Sequence, residues 1–118
     1  MKYNPPKKAQ QNAIEARKCI ENGSNAMLRI GRYRSAQLAS GTPISYDIVK
    51  RMSQFARHKK NKHYIGNPCN DRGYVAWQGW GGDEGISWAK KIVKNNRLEK
   101  WNGNQQLGIL MLTVVLMI

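Results

Sequence analysis

Acidic residues are scarce in this chain. Seven Asp and Glu stand against twenty Lys and Arg, which leaves a formal charge of +13. From Ile48 to Asn70 there is no carboxylate, while six cations occur. A folded domain with that excess repels itself, so the bias points to a polyanionic partner such as nucleic acid, an anionic membrane face or an acidic protein. The competing reading is a solvated basic surface with no dedicated partner. The scarcity also weighs against catalysis, which needs a placed acid or base, a nucleophile or a metal. Asp83 and Glu84 are adjacent, so on a helix they diverge and read as a cap and a first-turn residue. No Ser or Cys has a nucleophile setting. The block from Gly79 to Gly85 has the glycine content of a phosphate-cradling loop but lacks its closing Lys-Ser/Thr. The expectation is a protein that is not an enzyme, with no catalytic residue and no cofactor.

Cysteine is nearly as scarce. Cys19 and Cys69 are the two in the chain, and nothing in their spacing indicates a pair. The expectation is free buried thiols in a reducing compartment. His58, His63 and Cys69 share one loop-rich stretch, but structural zinc takes four ligands at tighter, paired spacings. Only Asp71 or Cys19 could complete that set, so no metal site is expected.

Long hydrophobic runs are missing too. Residues 1–8 carry charge without an apolar stretch behind them, so no secretory signal is expected. Leu107 to Ile118 is apolar apart from Gly108 and Thr113, but its twelve residues fall short of the ~20 a spanning helix needs. It carries no charge and reads as a segment that docks into the core or into a neighbouring copy. Placement at a membrane interface and an incidental tail are its alternatives. Synthesis and folding in a cytoplasm are expected, with no membrane partner.

What is present is helical. Ala9, Ala13, Ala16 and Ile20 form one stripe of a helix over residues 7–22, and Gly23 stops it. The stripe is small, so a neighbour should come close. A second helix is expected over 25–39, capped by Ser24 or Asn25. A third runs from Ser45 to Lys60, with Ser45 as N-cap, Ile44 and Val49 placed as a hydrophobic staple and Asp47 in the first turn. Residues 61–73 are rich in turn formers. Tyr74 to Trp80 is a short strand or a helical turn. A last helix begins at Asp83, with Ile86, Ala89, Ile92 and Val93 inward and Lys90, Lys91, Lys94 and Arg97 outward. Eleven glycines and four tryptophans permit a modest core, each indole burying roughly 150–250 Å². The expected core is Ala13, Ile20, Ile30, Leu38, Ile48, Met52, Phe55, Trp77, Trp80, Trp88, Ala89 and Ile92. Trp77, Trp80 and Trp88 fill it, or stand exposed as a stacking platform for unpaired bases.

Four segments occur together in order: Tyr3–Pro6, Arg29–Leu38, Ile44–His58 and Ala76–Ala89. As a set they resemble a small helical module of tailed-bacteriophage proteins. That module stands alone or is appended to head-morphogenesis proteins such as prohead-protease-like chains. The resemblance covers roughly residues 3–93. It implies a phage context, and with it localisation in the host cytoplasm or the virion, and carries no mechanism with it.

The expected fold is mainly α: a compact single-domain bundle of four to five short helices with a Trp/Gly-rich connector. Residues 1–97 form the basic helical domain, 98–106 a polar linker and 107–118 the apolar tail. The expected function is sequence-independent nucleic-acid binding through phosphate contacts from Lys50, Arg51, Arg57, Lys59, Lys60 and Lys62. The alternative is a structural module of phage head assembly that binds other virion proteins. Homo-oligomers through the tail are a further expected partner class.

Overall fold

A computed structural model describes residues 2–61 and 67–98. Its described residues are mainly helical and make a small bundle. Strand β1 (Lys2–Tyr3) leads into α1 (Lys7–Glu21), α2 (Arg29–Ala39), strand β2 (Ile44–Ser45), α3 (Tyr46–Gln54), a 3-10 helix (Phe55–Asn61), a second short one (Pro68–Asn70) and α4 (Arg72–Gly79). A fifth helix, α5, covers residues 82–98. The linker beyond residue 98 and the apolar tail fall outside the described residues, as do Lys62 and His63.

Helix α1 ends where glycine dictates. Gly23 takes φ +100°, Ser24 N–H donates to the Cys19 carbonyl and Gly23 N–H to that of Ile20. This is the paired bond pattern of a Schellman stop, which satisfies carbonyls the helix would leave open. The alanine stripe is buried, with Ala9, Ala13 and Ala16 at most 1% exposed. It receives the corner between α4 and α5. A methyl group on Gly85 would lie 2.9 Å from Ala9 Cβ, and Gly81 and Gly82 turn the chain at φ +111° and +67°. Only glycine takes that backbone without strain and lets α1 this near.

A polar network seals the same contact. Asn12, 4% exposed on α1, donates through Nδ2 to the Gly81 carbonyl (3.0 Å) and to Glu84 Oε1 (2.7 Å), while its Oδ1 accepts from Gln78 Nε2 (3.3 Å). Glu15 Oε1 accepts from the Tyr74 hydroxyl and Oε2 from Gln78 Nε2. Buried polar groups satisfied in this way specify one docking geometry, because any slip leaves a donor unpaired.

Several expectations are corrected. Helix α2 begins at Arg29 rather than 25, and neither Ser24 nor Asn25 caps it; Leu28 holds the N-cap position with no side-chain bond. Met27 occupies the left-handed region at φ +67° and breaks the helix there. Its side chain then covers Gly31 and Gly79, where built methyls would meet it at 3.2 and 2.5 Å. Ile30, expected in the core, is 47% exposed because Met27 has taken the inward place. The strand-or-turn at 74–80 is helix α4, started by Asp71, whose Oδ1 accepts from Tyr74 N–H at 2.9 Å. The third helix changes to 3-10 geometry at Phe55 instead of continuing as α to Lys60. Ser45 is its N-cap by position, without a side-chain cap bond, while Ile44 and Val49 are both fully buried. Residues 2–3, for which the sequence signals no strand, pair antiparallel with β2, Tyr3 opposite Ile44.

The main core joins Ala13, Leu38, Ile44, Val49, Met52, Trp77, Trp80, Ile86, Ala89 and Val93. Ile20, Ile48, Phe55, Trp88 and Ile92 are half-buried at the edges of the apolar clusters. A second cluster holds Ala16, Cys19, Ala26 and Val75. Here the cysteine expectation fails: Cys19 and Cys69 form a disulfide across 50 residues of sequence. The helix repeat puts Cys19 on the inward stripe beside Ala16, and the second 3-10 helix carries Cys69 over it, a proximity that linear spacing does not encode.

Two outcomes test this packing. Gly82→Ala combines left-handed strain with a clash against the Asn12 amide, and should cost about 2 kcal/mol or more in urea unfolding; an unchanged midpoint refutes the close-approach account. Reducing the disulfide, or replacing both cysteines by alanine, should cost about 4 kcal/mol, as expected for a closed loop of this length. Equal midpoints with and without reductant would refute that.

Candidate nucleic-acid interface

Helix α3 is amphipathic. Val49 and Met52 are fully buried, which leaves Lys50 and Arg51 in solvent. The Lys50 ammonium lies 5.9 Å from the centre of the Tyr46 ring. Arg57, Lys59 and Lys60 are exposed on the 3-10 segment. That segment turns every three residues rather than 3.6, so its cations leave the stripe a continuing α-helix would have made. Lys62 lies outside the described residues.

Two depressions flank the C-terminal end of α3. The first encloses about 660 Å³ and is lined by Met27, Leu28, Ile30, Phe55, His58 and Trp80, with Arg51 and Arg57 among its other lining residues. The second encloses about 890 Å³ and carries Lys90, Lys91, Lys94 and Arg97 around Val93 and Leu98. Gln54 lines both, so the end of α3 is the ridge between them. Among the described residues no carboxylate lines either depression. Lys59 and Lys60 line neither, so the sequence-expected set divides: Arg51 and Arg57 enter the first hollow, while Lys50, Lys59 and Lys60 stand elsewhere on the exposed surface.

The four α5 cations are legible in the sequence as an outward face but not as neighbours of α3. Lys90, Lys94 and Arg97 fall at i, i+4 and i+7, one helical stripe, and after Glu84 no acid occurs through Leu98. That pattern is the available signal. Arg34 has no such signal and is absent from the expected set. It is 7% exposed on α2, its Nη1 donates to Gln37 Oε1 at 2.6 Å, and its buried Nε has no hydrogen-bond partner. Burial first, then repulsion from Arg51, makes its guanidinium hold its proton less tightly than usual.

The tryptophans are interior. Trp77 is 3% exposed and its Nε1 donates to Asp83 Oδ1 at 2.9 Å. Trp80 is 9% exposed and stacks on Phe55, with ring centres 5.0 Å apart and planes within 14°. An exposed platform of three indoles is therefore excluded for Trp77 and Trp80, while Trp88 is half-buried. Asp83 lies inside the first turn of α5 rather than at a cap, since the helix begins at residue 82.

The carboxylates gather elsewhere. Glu15, Asp83 and Glu84 line a depression of about 270 Å³ together with Lys8, Asn12, Tyr74, Trp77 and Gln78. They serve there as acceptors for the network that holds α1 to α4 and α5. Cys69, bonded to Cys19, cannot act as a thiolate ligand, and among the described residues no group of three His, Cys, Asp or Glu is placed to hold a metal ion. No helix among them is long and apolar enough to cross a membrane. Compared with known protein families, curated proteins and solved structures, the chain matches none.

Proposed function

We propose that the protein is a non-enzymatic nucleic-acid-binding protein of phage origin that holds the phosphate backbone without reading sequence. One observation carries this reading: six cations on three elements, Arg51 on α3, Arg57 on the 3-10 segment that follows it and Lys90, Lys91, Lys94 and Arg97 on α5, line adjoining depressions that share Gln54 and, among the described residues, contain no carboxylate. A low-dielectric wall lined by one sign of charge focuses the field outward and draws in a polyanion. Contacts of that kind fix position and add affinity but carry no base information. The α5 stripe extends the basic face beyond Lys50, Lys59 and Lys60, which then act as flanking contacts.

A second reading, a structural module of phage head assembly, draws support from different features. Leu28 and Tyr33 are 82% and 67% exposed, which suits a protein neighbour. The disulfide suits residence in a virion, outside a reducing cytoplasm.

Salt-titrated binding to random-sequence duplex separates the two. The proposal expects affinity to fall steeply with salt. Lys91→Ala combined with Lys94→Ala should flatten the log–log slope by about 1.8, near 0.9 for each phosphate that is no longer neutralised. Lys59→Ala with Lys60→Ala should flatten it as well. Absence of binding at low salt, with concentration-dependent oligomers that vanish when residues 107–118 are removed, refutes the proposal in favour of assembly.

A further inference from the structure

We infer that the depression between α2 and the Phe55–His58 turn is a slot for an unpaired nucleobase, so that the ligand is single-stranded nucleic acid rather than duplex. This rests on the polyanion-binding reading and adds to it. The hollow, about 660 Å³, is lined mostly by apolar and aromatic side chains, and its charged members, Arg51 and Arg57, are both exposed cations. Its volume lies inside the ~300–1,000 Å³ of ordinary small-ligand sites, and no paired duplex enters a space of that size.

Phosphate attraction alone does not require an apolar hollow. A cationic surface that only neutralises charge does best when its Lys and Arg stay fully hydrated, and an open greasy cavity beside them costs solvation. Leu28 at 82% exposure and Ile30 at 47% are the clearest sign of that cost. A base removes it. The planar ring inserts between the aliphatic side chains of Leu28 and Ile30 and the half-buried ring of Phe55, on which the buried Trp80 is stacked. Its own phosphate then lies with Arg51 or Arg57, a separation fixed by the sugar. Stacking on aromatic side chains tolerates every base, because each has a π-face. Sequence-independent binding is thereby kept.

The aromatic wall is held in place from behind. Phe55 stacks on Trp80 and lies 4.7 Å, centre to centre, from the His58 ring. Arg57 Nε donates to His58 Nε2 at 3.3 Å. Gly31 and Gly73 contribute backbone to the lining, so no side chain of theirs fills the hollow. The neighbouring α5 depression, reached across Gln54, offers Lys90, Lys94 and Arg97 to the phosphates that follow along the strand. An acyl chain or a protein's apolar side chain would use the same wall, but neither would account for Arg51 and Arg57 at the lining together with the four further cations beyond Gln54.

The test compares three ligands with the full-length protein at one low salt concentration. They are a single strand of about twenty nucleotides, an abasic strand of equal length and phosphate count, and the duplex of the first. The slot expects the base-bearing strand to bind at least about tenfold tighter than the abasic one, within the range for one or two stacked bases. It should also bind tighter than the duplex. Tryptophan fluorescence should be quenched by the base-bearing strand alone, and the quench should disappear in Trp80→Phe. Leu28→Ser and Ile30→Ser, at exposed positions where folding is safe, should each reduce the preference over the abasic strand without changing the abasic affinity. Equal binding of base-bearing and abasic strands overturns the slot while leaving phosphate binding intact. Tighter duplex binding does the same. No binding of any of the three removes both. Light scattering that shows self-association abolished by Leu28→Ser would mean that a second copy occupies the hollow, and would overturn the slot as well.

Discussion

Asn12 has its side-chain amide engaged by three groups at once: the Gly81 carbonyl, the Glu84 carboxylate and the Gln78 amide. It can do so only because Gly81, Gly82 and Gly85 leave no side chain between α1 and the α4–α5 corner. The rest of the bundle depends on that contact. It sets the direction in which α5 leaves the corner, so that Ile86, Ala89 and Val93 reach the main core. The opposite stripe of α5 is thereby delivered to the side of α3. Alanine and glycine are poor sources of buried area, and the apolar energy here comes from Leu38, Met52, Trp77 and Trp80. The small residues instead allow backbones to meet at hydrogen-bonding distance, where a satisfied network penalises every alternative alignment.

The same network separates the charges. Glu15 and Glu84 accept from amide or hydroxyl donors, and Asp83 accepts from an indole, at the α1–α4–α5 corner. Of the remaining acids among the described residues, Asp71 caps α4 and Asp47 occupies the first turn of α3, where the helix dipole favours an anion. Glu21 stands exposed at the end of α1. Carboxylates are thus held mostly at helix starts and in the packing network, and the later turns of α3 and α5 are left with cations only. A net charge of +13 is a statement about attraction in general. It acquires a direction on the fold because the anions of the described residues are mostly engaged elsewhere.

The disulfide ties together two segments distant in sequence. It joins α1 to the segment before α4 within a second, smaller apolar cluster. A domain of modest core gains most from such a cross-link, since the bond restricts the unfolded chain more than the folded one. Intracellular reductants oppose such a bond.

Helical class, the ends of α1, the inward stripe of α5 and the exposure of Lys50, Arg51, Arg57, Lys59 and Lys60 were all legible in the chain. Each is a matter of local period or of a single stop residue such as Gly23. The start of α2 was not, because Met27 adopts a left-handed backbone that no propensity assigns to methionine, and it does so to cover Gly31 and Gly79 from other parts of the fold. Ile30 lost its expected place in the core for the same reason. The cysteine pair, the partnership of α3 with α5 and the buried Arg34 join residues far apart in sequence. The sequence by itself determined that the protein is helical, strongly basic and rich in small residues where helices meet, because those properties reside in composition and periodicity. Only the tertiary structure decided which cations share a surface and which apolar side chains are left facing water, because both follow from how the glycine corner aims one helix past another.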